Sequence, residues 1–272
     1  GHKITNLTIT QTLRMSVGYV GLFGYTNRAN VYDLTLEGVK YVVESISGES
    51  TIGAYIGGAV GYAVLTNFVN VKTSGTVETR LLPKNVAHIG GVAGELEVYD
   101  KEKAYIAYVR NCRAAVETIV GKFDGTEDSV LEVASNGGIV GTVSCTKGAV
   151  AIVNCVSDGK VYGGQFVGGI VGYTSGSNVS IVNCVNYASV RATAKDVSYA
   201  GGIVGSARND MIVLDSYSAG NIAGVKASSS FYKSYAGGIF GYSYADDYDM
   251  GYTAGVAAEN AFHSGVVRSA SY

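Results

Sequence analysis

The sequence is short of most residues from which reactive centres are built. It has one proline, Pro83, no tryptophan and three histidines among 272 residues. His2, His88 and His263 are scattered, so no group with zinc-ligand spacing exists, and there is no His-Glu-x-x-His. No histidine stands in repeat register with a serine or cysteine partner, which leaves nucleophilic triads unsupported. Twenty basic and 22 acidic residues give a formal charge of −2 without a basic run, which excludes an electrostatic footprint for nucleic acid. No apolar run reaches the roughly 18 residues of a transmembrane helix, so no membrane insertion is expected. The opening Gly1-His2-Lys3-Ile4-Thr5-Asn6-Leu7 lacks a charged-then-apolar signal region, and the expectation is a segment of a longer chain.

What is present is glycine, 38 residues of it, in a chain that is 47% hydrophobic and holds 21 tyrosines. Disordered chains lack β-branched and aromatic residues, so this composition points to many short strands joined by tight corners. The glycines are patterned. Gly168-Gly169-Ile170-Val171-Gly172 has near copies from one end of the chain to the other, with closing glycines at 24, 61, 94, 141, 172, 205 and 241. Successive copies are therefore 37, 33, 47, 31, 33 and 36 residues apart. A period in this range means a stacked array whose units bury their apolar faces only against neighbours.

The cleanest unit, 166–198, divides into a strand over 166–173, a turn cluster at 175–178, a second strand over 179–185 and a third over 189–193. Three strands and three corners make one coil of a right-handed parallel β-helix, and the whole chain is expected to be one all-β solenoid domain of about seven coils. Other second strands are expected over 31–36, 65–69, 106–112, 151–155 and 211–216. Coils spaced roughly 4.8 Å apart give a rod on the order of 35 Å long. Asparagine and glycine are expected at the corners because both tolerate positive φ, and stacked asparagines can ladder their amides. Cys112, Cys155 and Cys184 follow Asn111, Asn154 and Asn183 in one slot of successive repeats, which predicts a buried column of free thiols; Cys145 stands outside it. Two stretches break the period: a charged loop expected over 95–103, and 121–128, where Asp124, Glu127 and Asp128 lie.

These repeats resemble the GLUG-motif arrays of bacterial surface and secreted proteins, including adhesin-like proteins and the N-terminal regions of bacterial immunoglobulin A1 peptidases. The resemblance rests on the glycine–apolar–apolar–glycine core, the Asn-Cys strand that follows, and the opening Tyr19-Val20-Gly21-Leu22-Phe23-Gly24-Tyr25. It covers essentially the whole chain. It implies a β-solenoid in an extracellular or cell-surface setting and no catalytic residues, the peptidase chemistry belonging to a separate zinc domain.

Two features are candidates for contact with a partner. Tyr55, His88, Phe166, Tyr199 and Tyr235 hold one slot before the glycines, and form either an exposed aromatic ladder suited to sugar rings or a protein, or side-chain stacking between coils. The loop with Tyr244, Asp246, Asp247, Tyr248 and Asp249 offers carboxylates for Ca²⁺ and rings for a glycan, although its spacing matches no known calcium loop. The glycine motif itself is no phosphate cradle, since strands rather than helices follow it. The expected function is a monomeric, non-catalytic stalk or adhesin that binds host glycan or extracellular protein, without a cofactor unless Ca²⁺ serves. The alternative is a carbohydrate-active β-helix enzyme or the repeat region of a secreted peptidase. An enzyme would need a groove holding carboxylates about 5–10 Å apart.

Overall fold

The computed structural model describes residues 1–14, 17–45, 53–81, 85–100, 105–120, 133–194, 197–224, 233–244, 264–267 and 270–271. Among them there is no helix, and every strand pairing is parallel, running from each coil to the next in sequence order. The strands form three walls of a parallel β-helix: one of seven strands, one of 13 and one of 12. The seven-stranded wall counts the coils. Its members are Val17–Val20, Gly53–Gly57, Val86–Gly90, Val133–Gly137, Phe166–Gly168, Val197–Gly201 and Lys233–Gly237, one before each glycine motif.

The motif is the corner itself, which corrects the expectation of one strand over 166–173. Phe166–Gly168 ends the first wall and Val171–Gly176 starts the second, with Gly169 and Ile170 as the bend between them. The need for glycine here is steric. A Cβ on Gly172 would lie 2.6–2.7 Å from backbone atoms of Asn136 in the previous coil, and one on Gly168 would collide with the Val171 carbonyl oxygen. A Cβ on Gly169 would strike the Gly202 carbonyl and the Asn186 side chain. Backbone crowding, not positive φ, therefore dictates the repeat.

Positive φ is supplied at a second corner by asparagine and aspartate. Asp33, Asn70, Asn111, Asn154, Asn183 and Asp215 occupy the left-handed region with φ of 51°, 56°, 54°, 55°, 52° and 47°. Each ends a strand of the second wall and turns the chain into the third, so 179–185 is two strands, Val179–Val182 and Val185–Asn186. The same correction applies to 31–36, where Asn30–Tyr32 and Leu34–Ser45 meet at Asp33. The amides ladder as expected: Asn70 donates to Asp33 (2.8 Å), Asn111 to Asn70 (3.3 Å), Asn154 to Asn111 (3.2 Å) and Asn183 to Asn154 (2.9 Å). Immediately after this corner the chain turns inward, and Cys112, Cys155 and Cys184 are buried as free thiols. Each coil donates its thiol to backbone carbonyls around it, Cys155 to Val109 and Cys184 to Ile152. Cys145 is also free and buried, in the second wall.

The third wall differs along the rod. It opens on a split layer, His2–Thr5 with Thr8–Leu13, and is continuous in the first three glycine-cornered coils, as Leu34–Ser45, Lys72–Arg80 and Arg113–Val120. In the next three it is split, as Val156–Ser157 with Lys160–Tyr162, Val185–Asn186 with Ser189–Ala192, and Tyr217–Ser218 with Ile222–Gly224. Buried Asn186 stitches one such break: it donates to the Ala188 carbonyl (3.1 Å) and Ser218 Oγ (3.0 Å), and accepts from the Ala188 amide (3.0 Å). Asn136 takes the core slot that Ile89 holds one coil earlier, and its Nδ2 donates to the carbonyls of Tyr162 and Gly163. The main core follows the interior from Leu13 to Val213, and a smaller cluster around Val161, Val167 and Val190 sits beside the split wall.

The 95–103 stretch is also corrected. Ala93–Tyr99 is a strand of the second wall, so Glu95 and Glu97 stand on the rod rather than on a loop. The acidic residues at 124, 127 and 128 lie outside the described residues.

Candidate binding edge

Strand alternation puts one outward side chain on each flank of every glycine corner. Before the corner, parallel register aligns Tyr19, Tyr55, His88, Ser135, Phe166, Tyr199 and Tyr235. This is the expected column, lengthened by Tyr19 and interrupted at Ser135. After the corner a second column aligns Tyr25, Tyr62, Glu95, Thr142, Tyr173, Ser206 and Tyr242. Sequence reasoning missed the second column, although the signal was plain: each member directly follows a closing glycine.

The rings fall into two clusters. In the first, Tyr19 lies 5.9 Å from Tyr25, 5.5 Å from Tyr55 and 5.3 Å from Tyr62. Tyr55 meets Tyr62 edge-on at 4.9 Å and stacks on His88 at 4.9 Å. In the second, Phe166 stacks on Tyr199 at 5.4 Å and Tyr199 on Tyr235 at 5.2 Å, with Tyr173 and Tyr242 alongside. Such offset and edge contacts are the arrangement that ring quadrupoles favour. Stacking between coils thus uses part of every ring, and the remainder faces solvent. Tyr19 is 44% exposed, Tyr25 50% and Tyr242 36%. The ladder is therefore both structural stacking and exposed surface.

The clusters are separated by the fourth coil, where Ser135 and Thr142 are short and buried. His88 leans across this gap, its Nδ1 2.5 Å from Thr142 Oγ1. Its Nδ1 is also 3.9 Å from Glu95 Oε2. Burial lowers the His88 pKa to about 4, and burial, with Glu97 adding, raises Glu95 to about 7. The imidazole is consequently neutral near pH 7, and this contact is not an ion pair there. Tyr62 donates its hydroxyl to Glu97 at 2.6 Å, and burial followed by that bond raises the phenol pKa. Burial likewise raises Tyr55 to about 12, with Glu95 the next contributor.

The other expected site residues are placed less completely. Tyr55 joins the first cluster, and Tyr199 and Tyr235 the second. Tyr244 ends the strand Phe240–Tyr244, where it pairs with Arg208. Asp246, Asp247, Tyr248 and Asp249 lie outside the described residues. Among the described residues no three His, Cys, Asp or Glu side chains are grouped to hold a metal ion, and no helix is long and apolar enough to cross a membrane.

No family model and no solved structure matches the chain. Over 228 residues, 82% of its length, it is 28% identical to part of halomucin from Haloquadratum walsbyi. The match takes up 2% of halomucin, so the chain is similar to a small stretch of a far longer protein.

Proposed function

We propose that this chain is a non-catalytic extracellular repeat module, of stalk or adhesin type, that holds a glycan or protein partner on the ring-bearing edge. The observation that carries this reading is the exposure of Tyr19 and Tyr25 on a backbone fixed from coil to coil by parallel ladders. Tyrosine presents an apolar face and a hydrogen-bonding tip on only two rotatable bonds, which suits it to contact with little loss of entropy. The resemblance of the repeats to GLUG-motif arrays, and the similarity to a stretch of halomucin, support an extracellular setting.

The test is a glycan-array and mucin-binding screen of the purified chain with and without Ca²⁺. Saturable binding that falls in Tyr25→Ala supports use of the tyrosine edge. Loss in Tyr244→Ala or Asp247→Ala, or on removing Ca²⁺, moves the contact to the acidic loop. Silence across the screen refutes glycan binding, and silence also against immobilised extracellular-matrix proteins leaves a spacer.

One observation favours the enzymatic alternative. Glu95 and Glu97 share a face of one strand, two residues or about 6.6 Å apart, and burial raises the Glu95 pKa to about 7, as suits the general acid of a glycosidase. Reducing-end release from any glycan on the same plates, abolished in Glu95→Gln, would establish it.

A further inference from the structure

Among the described residues, only the first ring cluster has carboxylates set into it. Glu95 continues the column of Tyr25 and Tyr62 one coil further along the rod, and Glu97 lies two residues on, facing the same way. Outward neighbours on a strand are about 6.6 Å apart, two residue rises. In the first two coils the Glu97 slot holds Asn27 and Val64, so no basic residue stands in either column there. Arg28, which follows the Asn27 slot, is engaged with Asp100 at 2.8 Å, and Lys101 and Lys103 lie outside the described residues. Of the other titratable groups against Glu95, the Tyr55 and Tyr62 phenols are raised and stay uncharged, and His88 is neutral near pH 7, so among the described residues none supplies a compensating charge.

We propose that this cluster binds a glycan bearing free amino groups, with an ammonium between Glu95 and Glu97 and sugar rings against Tyr19, Tyr25 and Tyr62. The inference rests on the glycan reading above and specifies its ligand. Two neighbouring carboxylates, one of them mostly buried, repel each other; the cost shows in the pKa of Glu95, raised by burial and then by Glu97. A ligand cation seated between them relieves that repulsion and meets the negative faces of the tyrosine rings. The C–H face of a sugar covers the exposed part of the same rings. Coils about 4.8 Å apart offer successive tyrosines at close to the rise of one residue in an extended β-linked chain. A neutral glycan would gain the ring contacts and leave the carboxylates unpaired. A lysine-rich peptide brings the ammonium on a flexible stem whose ordering costs entropy, and brings no flat face.

The experiment compares calorimetric binding of a β-linked glucosamine oligosaccharide, its fully N-acetylated counterpart and oligolysine, at a mildly acidic pH that keeps the amines charged; Glu95, raised to about 7, is largely protonated there and releases its proton to the buffer as the ammonium seats. The amino sugar should bind about tenfold tighter than the acetylated one, the scale of a charge-assisted hydrogen bond. Glu97→Gln, which still accepts from Tyr62, should erase that preference and leave the acetylated sugar unchanged; circular dichroism verifies the fold. Tyr25→Ala should weaken both sugars. Equal binding of the two sugars overturns this inference while the glycan reading stands, whereas failure of both to bind overturns the two together. A preference that survives Glu95→Gln/Glu97→Gln places the recognition elsewhere and also overturns it. Oligolysine bound more tightly than either sugar would replace the glycan by a basic protein.

Discussion

The first three coils and the three that follow are built on one corner and diverge everywhere the corner does not reach. Both halves place glycines where a Cβ would strike backbone, at Gly57 and Gly94 early and at Gly168 and Gly205 late. Beyond that corner the early coils run the third wall unbroken and set carboxylates among their rings. The later coils split the wall, stitch it with Asn136 and Asn186, and keep carboxylates out of the ring columns. The physical lesson concerns independence. Stacking needs the glycines, the left-handed asparagines and an apolar interior; the outward positions flanking each corner add ring contacts in some coils but hold Ser135 and Thr142 in the fourth, so no one residue type is required there. They are free to vary, and recognition is expected there.

The comparison is broken most severely at what the halves share. Gly172→Ala and Gly94→Ala should each destabilise by about 3 kcal/mol or more, since the added carbon meets backbone, which cannot swing aside. Urea unfolding should show similar losses in both halves. A mild effect in either would mean that the corner is not the shared constraint.

What is peculiar to the later coils is tested by Asn186→Ala. It removes three buried hydrogen bonds at the wall break and should cost about 2–3 kcal/mol. Thr73→Ala probes the same wall slot in the continuous half. It removes one bond, to the Gly91 carbonyl at 2.6 Å, and should cost about 1 kcal/mol.

Among the described residues, the shifted groups that titrate between acid and neutral pH, His88 and Glu95, both belong to the early coils. Folding raises Glu95 from 4.5 to about 7, so its contribution to stability is full below pH 4.5 and lost as pH rises through 7. Folding lowers His88 from 6.5 to about 4, so its contribution is full above pH 6.5 and lost as pH falls through 4. The two oppose each other, and this part of the rod is best stabilised between them, at mildly acidic pH. Glu95→Gln should flatten the alkaline side of a stability–pH curve and leave the acid side. If the alkaline side persists, some other group governs it.

The smallest effect is expected on the exposed amide ladder. Asn154→Gly keeps the left-handed backbone and loses two side-chain bonds, for a cost of about 1 kcal/mol or less. Asn154→Ala should cost more, because alanine adds the strain of positive φ. A thermal melt of the pair separates conformation from hydrogen bonding.

The repeat, the number of coils, the amide ladder and the buried thiols were legible in the sequence, because each recurs at fixed positions and stacking turns recurrence into contact. Corner positions were misread. Glycine and asparagine were both credited with positive φ, whereas Gly168 and Gly172 are required by close backbone approach and Asn154 and Asn183 by conformation. Of the candidate site, Tyr55, Tyr199 and Tyr235 are visible in the sequence as one column, whereas the positions after the closing glycines vary too much in residue type, from Tyr62 to Glu95 to Ser206, to stand out as a second. The paired carboxylates were assigned to a loop because a charged run in a lengthened repeat has the look of an insertion.

The sequence by itself determined that this chain stacks. Seven glycine motifs leave no room for side chains where coils turn, and the apolar positions between them are buried only if neighbours close over them. Only the tertiary structure decided what the rod presents. Parallel register brings Tyr25, Tyr62 and Glu95 into one line from positions more than 30 residues apart, and the turn at each corner sets a second line beside it. Packing also sets titration, since burial between coils, and then Glu97 on the same strand, raise the Glu95 pKa to about 7.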